Sequence, residues 1–145
     1  YAEGHLLVEV EDGKSGKVID RYRVPNLVVT KGFDIIRDRL AGVAIDPLTH
    51  FALGTGTTAP VIGNQALATE VYRDTITDFV YESATLKVKY YLPTTQANGN
   101  TIGEAGVFNS SSGATMFNHV LISPTIVKTS SIAVTFTWTI SISGP

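Results

Sequence analysis

The sequence contains no cysteine among its 145 residues, and this absence removes several kinds of chemistry at once. Without thiols the chain offers no thiolate nucleophile, no thiolate metal ligand and no disulfide. The absence does not fix the compartment, because stable extracellular proteins also fold without disulfides. A chain of this length buries roughly 68–70% of its unfolded surface, so we expect one domain over residues 1–145 with a single core.

The chain also has little net charge and no long apolar run. Lysine and arginine number 11, aspartate and glutamate 13, and the cations lie in mixed segments rather than clusters. Because phosphate recognition needs clustered cations, we expect no nucleic-acid partner. The longest apolar runs, such as 43–45, are far shorter than the roughly 20 residues of a transmembrane helix, so we expect no membrane partner. The N-terminus shows no signal-peptide pattern.

Alternating apolar and polar residues predict antiparallel strands along most of the chain. Residues 5–11 alternate, and the turn residues 12–16 lead into a second stretch at 17–24, which predicts a hairpin that ends at Pro25. Residues 65–73 fit either a helical turn or a strand. Further strands are predicted over 49–54, 76–81, 84–92, 101–109, 114–121 and 131–143, with an exposed loop after Gly54 and turns at 110–113 and around Pro124.

The final stretch is the most regular of these segments. Its apolar residues, from Ile132 to Ile142, alternate with threonine and serine, so one face is apolar and the other hydroxyl-rich. A strand this long at a sheet edge would invite aggregation. We therefore expect a central strand, with Phe136 and Trp138 as structural core residues and the threonine face packed against another layer or subunit.

One stretch, about residues 30–41, predicts a short α-helix. Thr30 is the predicted N-cap, Phe33, Ile36 and Leu40 are predicted to form its apolar face, and Gly42 follows its end. Gly32 in the first turn weakens the helical pattern. About seven antiparallel strands and one helix predict a mainly β fold, either an antiparallel β-sandwich or a partly closed barrel.

The motifs that usually carry chemistry are weak or absent. The run 54–59 has the glycine spacing of a dinucleotide fingerprint, but it lacks the helix that must follow, and we interpret it as a loop. His5, His50 and His119 lack the spacing of metal ligands, and no serine lies in a nucleophile elbow. We therefore expect no enzyme activity, no cofactor and no metal site.

Glu104 is unusual because its neighbours in 101–108 are small or apolar. An unpaired buried carboxylate is costly, so one interpretation is that flanking glycines let backbone amides or an arginine satisfy it and fix the local geometry. The alternative is an acid–base group, for which no second catalytic residue is evident. We favour the structural role for Glu104, and we assign Gly106 and Phe108 of the same segment to it as well.

Three segments stand out in order along the chain: Val24–Gly32 leading into the helix, His50–Pro60, and Ile102–Asn109. Together they resemble short tail-fibre and related minor structural proteins of tailed bacteriophages. The third segment also resembles the Glu-apolar-Gly-apolar-Phe stretch of tail-collar fibre proteins, and it is followed by Ser112–Phe117. The similarity covers most of the chain, and the motifs are specific as an ordered set.

The resemblance implies a non-enzymatic virion component, assembled in the host cytoplasm, that contacts other tail or capsid proteins and forms a homo-oligomer, most simply a trimer. With 43% hydrophobic and 17% charged residues, the chain has more apolar surface than a lone sandwich comfortably hides, which also favours an oligomer. Because no repeat typical of a fibre shaft is visible, a capsid decoration protein is the alternative. A carbohydrate-binding β-sandwich is a further alternative that would use Tyr22, Tyr81, Tyr90 and Tyr91.

Overall fold

The computed structural model describes residues 2–113 and 115–142 and places two antiparallel sheets of five strands in them. The predicted mainly β fold is confirmed, and the two separate sheets form a β-sandwich. In chain order the elements are β1 (Ala2–Asp12), β2 (Val18–Pro25), β3 (Leu27–Val28), α1 (Thr30–Leu40), β4 (His50–Gly54), β5 (Glu70–Thr75), β6 (Asp78–Glu82), β7 (Thr85–Leu92), β8 (Thr101–Phe108), β9 (Met116–Val127) and β10 (Ile132–Ile142).

The strands of the first sheet lie in the order β2-β1-β10-β7-β6, and those of the second in the order β3-β9-β8-β4-β5. The hydrophobic core lies between the sheets. The predicted hairpin of β1 and β2 is confirmed, and Gly16, with φ +70°, lies in its turn. One predicted strand begins at Ala114 and another ends at Ser143. Both of these residues lie outside the described residues.

β10 is the central strand of the first sheet, as its length predicts, with β1 on one side and β7 on the other. Phe136 and Trp138 are buried, and the Trp138 ring meets Phe117 of the second sheet edge-on, with centroids 5.6 Å apart. The outward threonines of β10 are half-buried. That another layer or subunit covers these threonines stays a prediction.

The helix has the predicted bounds, but its start and its buried face differ from the prediction. The N-cap residue is Val29, whose side chain makes no capping bond, whereas Thr30 is the first helical residue and donates its amide to the Ile62 carbonyl at 2.9 Å. Gly32 and Ile35 are buried, and Phe33 and Leu40 are exposed. The predicted N-cap was therefore wrong, and of the predicted apolar face only Ile36 packs against the core.

Gly32 explains the orientation of the helix. A Cβ at this position would collide with the backbone of Phe117 in β9, so only glycine lets the helix lie this close to the second sheet. The line of contact then runs through Gly32 and Ile35, which turns Phe33 and Leu40 away from the core. Gly32, which weakens the helical pattern of the sequence, therefore allows the helix to pack closely on the second sheet.

Two further predictions differ from the structure, both where the pairing of strands changes. The predicted strand 76–81 corresponds to β6, but β6 begins only at Asp78, because the chain passes from the second sheet to the first at Ile76 and Thr77. Pro124 is not in a turn, because β9 continues to Val127. The ladder between β8 and β9 is irregular at this point, so the missing proline amide is tolerated. The ambiguous segment 65–73 contributes its end to β5.

Replacing Trp138 by alanine should lower the free energy of unfolding by about 3–5 kcal/mol, because it removes the largest fully buried side chain from the central strand. Thermal and urea unfolding monitored by circular dichroism measure the change. Trp138→Phe should cost less, since it keeps the edge contact with Phe117 and removes an indole N–H that has no partner among the described residues. Thr137→Ala is the matched control on the outer face, and an equal loss in both variants would contradict the core position.

Candidate functional site

The outer face of the second sheet, which points away from the first, is covered by the loop 55–69. Glu104, Gly106 and Phe108 of β8 project onto this side. Here Leu67 of the loop packs in a second apolar cluster with Val29, Ala52, Phe108 and Met116. The loop adds a partial third layer to the sandwich. The exposed loop predicted after Gly54 is therefore open to solvent on one side and packed on the other.

Glu104 lies under this loop and is 1% exposed. Its carboxylate accepts hydrogen bonds from the backbone amides of Gly56 at 3.0 Å, Ala68 at 2.8 Å and Thr69 at 2.8 Å. A Cβ at Gly54 would lie 2.6 Å from the carboxylate, so glycine is required beside it. Backbone amides hold Glu104, as its glycine-rich surroundings indicated; a role in folding rather than in turnover stays a prediction.

The fourth partner of Glu104 is His119 rather than an arginine. His119, in β9 and 3% exposed, places Nε2 2.9 Å from Oε1 of Glu104. Its Nδ1 lies 2.8 Å from Oδ1 of Asn64, and that atom also accepts the Val61 amide at 2.8 Å. Because a backbone amide can only donate, the Asn64 atom is an oxygen. The two ring nitrogens of His119 thus each lie within hydrogen-bond distance of a side-chain oxygen, one of Glu104 and one of Asn64.

The accessibility of this cluster bears on the acid–base alternative for Glu104. Both carboxylate oxygens of Glu104 are used by amides or by His119, and neither side chain is open to solvent. A general acid or base needs a position from which a substrate proton can be reached. The geometry therefore favours the structural interpretation of Glu104 over the acid–base alternative.

The other assigned residues divide between two places. Gly106 and Phe108 lie on the same face of β8 as Glu104, and the guanidinium of Arg73 stacks 3.7 Å from the centre of the Phe108 ring. Arg73 also pairs with Glu70 at 2.6 Å. Phe136 and Trp138 lie in the first sheet and face the core, so they are not part of this cluster.

Several polar residues of these clusters were not found from the sequence. His119 and Asn64 are 15 and 55 residues from their partners, so no local spacing indicates them. Lys128 is fully buried and donates to Oδ1 of Asn98 at 2.7 Å and to the Thr129 carbonyl at 3.0 Å, which ties the β7–β8 connection to the β9–β10 turn. Burial lowers the pKa of the Lys128 ammonium.

The tyrosines considered for carbohydrate binding do not form one platform. Tyr90 is buried, stacks on Phe51 with centroids 5.4 Å apart, and has its pKa raised first by burial and then by its bond with Tyr72. Tyr81 and Tyr91 are exposed but lie on opposite faces of the first sheet. Their arrangement does not favour a stacking surface for a sugar.

Residues 2–113 and 115–142 were searched for clusters of metal ligands and for membrane-spanning helices. His5 and His50 lie on separate sheets, and the described residues hold no group of three or more potential ligands. No helix in the same ranges is long and apolar enough to cross a membrane.

Comparison of the chain with protein-family models, with curated proteins and with solved structures gives no match.

Replacing Glu104 by glutamine should lower the free energy of unfolding by about 3–5 kcal/mol, because the amide places an N–H₂ group against backbone N–H donors in a buried site. Chemical unfolding measures this loss. Glu82→Gln is the matched control, since its pair with Lys87 is exposed and worth about 1 kcal/mol or less. A hydrolytic activity that disappears in Glu104→Gln while stability holds would refute the structural role.

Proposed function

We propose that the chain is a non-enzymatic structural component of a tailed-phage virion, a surface-exposed oligomeric module of the tail. The observation that carries this proposal is the convergence of the three segments that resemble tail proteins. His50–Pro60 and Ile102–Asn109 supply the adjacent strands β4 and β8, and Gly56 of the first binds Glu104 of the second. Val24–Gly32 supplies Val29, which joins the apolar cluster beside them, and Gly32, which seats the helix.

The convergence favours a structural role because the motif residues stabilise the sandwich itself. The glycines provide room for close backbone contacts, and the carboxylate is consumed by internal hydrogen bonds. A motif set that specifies a fold in this way fits a component whose function lies in its outer surfaces.

A capsid decoration protein is the second candidate, and the outer face of the first sheet favours it. This face is broad and polar, with the threonines of β10 in its centre and the ion pair of Glu9 and Arg21, 2.8 Å apart, on one side. Such a surface can lie flat across neighbouring shell subunits and bond to them through hydroxyls and charges.

The location in the particle separates the two candidates. Antibodies against the recombinant protein, applied to purified particles of the phage that encodes it and viewed by immunogold electron microscopy, should label the tail. Label over the icosahedral shell would favour decoration. Absence of the chain's peptides from purified particles by mass spectrometry would refute both.

The purified protein should have three times its 15.5 kDa mass in light scattering. The exposed side chains of Ile19 and Val127 line one concave patch beside the edge strand β2, and we expect this patch to be covered in the oligomer. The double variant Ile19→Glu with Val127→Glu should therefore be monomeric. Val71→Glu, at the edge of the second sheet, is the control that should leave the mass unchanged. A strictly monomeric wild-type protein at high concentration would contradict solution assembly.

A further inference from the structure

An open apolar cavity of about 600 Å³ lies between helix α1 and the β6–β7 side of the first sheet. Its floor is formed by buried or half-buried residues of both sheets, including Leu86, Phe117 and Ile140, and its mouth by the exposed Leu40 and Tyr81. The volume lies within the range of 300–1,000 Å³ that is usual for small-molecule sites. It is separate from the Glu104 cluster.

Among the described residues that line this cavity, only Arg39, Tyr81, Ser83 and Thr85 have polar side-chain atoms. A peptide or a sugar would bring amides or hydroxyls that the apolar walls cannot satisfy, and each unsatisfied group would weaken binding. An aliphatic chain brings no such groups. The walls therefore select for a saturated hydrocarbon over a polar polymer.

Arg39 gives the cavity a charge. The guanidinium donates one hydrogen bond to the Ile45 carbonyl at 3.1 Å, and no described carboxylate forms an ion pair with it. The neighbouring Arg37, in contrast, pairs with both Asp34 and Asp38. Arg39 thus retains donors for an anion, and no acidic side chain lines the cavity to oppose one.

We propose that this cavity binds a single-chain anionic amphiphile, a long-chain carboxylate whose hydrocarbon lies on the apolar walls and whose carboxylate meets Arg39 at the mouth. The proposal does not depend on the virion role. A phage component with this site would carry one acyl anion per chain.

Isothermal titration calorimetry with octanoate, decanoate and dodecanoate, each below its micelle concentration, tests the walls of the site. One ligand should bind per chain, with the affinity rising roughly fourfold for each added CH₂ until the cavity is filled. Decanoate should bind about tenfold more tightly than decanol, and decyltrimethylammonium more weakly than either, because only the carboxylate pairs with a guanidinium. Binding of many molecules per chain, or equal binding of the three head groups, would overturn the proposal.

Variants on the helix separate the head group from the hydrocarbon. Arg39→Gln should reduce the affinity for decanoate to that of decanol and leave the dependence on chain length intact. Arg37→Gln removes the same charge from the same helix outside this cavity, so it should bind decanoate like the wild type. Leu40→Glu, at a position 84% exposed and therefore compatible with folding, should weaken decanoate binding by placing a carboxylate at the mouth. Equal effects of the two arginine variants would assign the effect to net charge and refute the site.

Discussion

The burial of one carboxylate constrains much of the second sheet. Removing a carboxylate from water costs several kcal/mol of free energy. Hydrogen bonds to Glu104 offset this cost only while the loop 55–69 is closed over it, because that loop supplies all three amide donors. Closing the loop also packs Leu67 into the second apolar cluster and brings the Ile62 carbonyl to the first amide of helix α1. The loop, the outer face of β8 and one contact of helix α1 therefore depend on one satisfied carboxylate.

Features that depend on local periodicity were predictable. The alternation in β10 indicated a central strand with Phe136 and Trp138 inside, and the helix was placed with its bounds. The predictions that were wrong concern features set by contacts between residues far apart in the sequence. No local pattern shows that the chain changes sheets at Ile76, or that Gly32 must approach Phe117 and thereby turn Phe33 outward.

The candidate site shows the same division. The chemical environment of Glu104 indicated that amides would hold it, since glycines flank it in sequence. The register of β8 against β9 pairs Gly106 with His119 and Glu104 with Leu121, so His119 is a diagonal neighbour of Glu104 on the adjacent strand. Register is set by the whole sheet and its irregularities, so a pair 15 residues apart cannot be assigned before the sheet is known.

The proposed assembly and the proposed binding cavity are compatible, because the patch and the cavity lie at opposite edges of the first sheet. The patch around Ile19 lies at β2, whereas the cavity lies at β6 and β7, with three strands between the two edges. Around a three-fold axis the same residues of three copies meet, so one apolar edge can be covered by symmetry while the other faces outward. Assembly through β2 would also shield its exposed backbone groups, which are otherwise free to pair with other chains. In an oligomer assembled through β2, the cavity on the helix side of the sandwich would therefore stay open to a ligand.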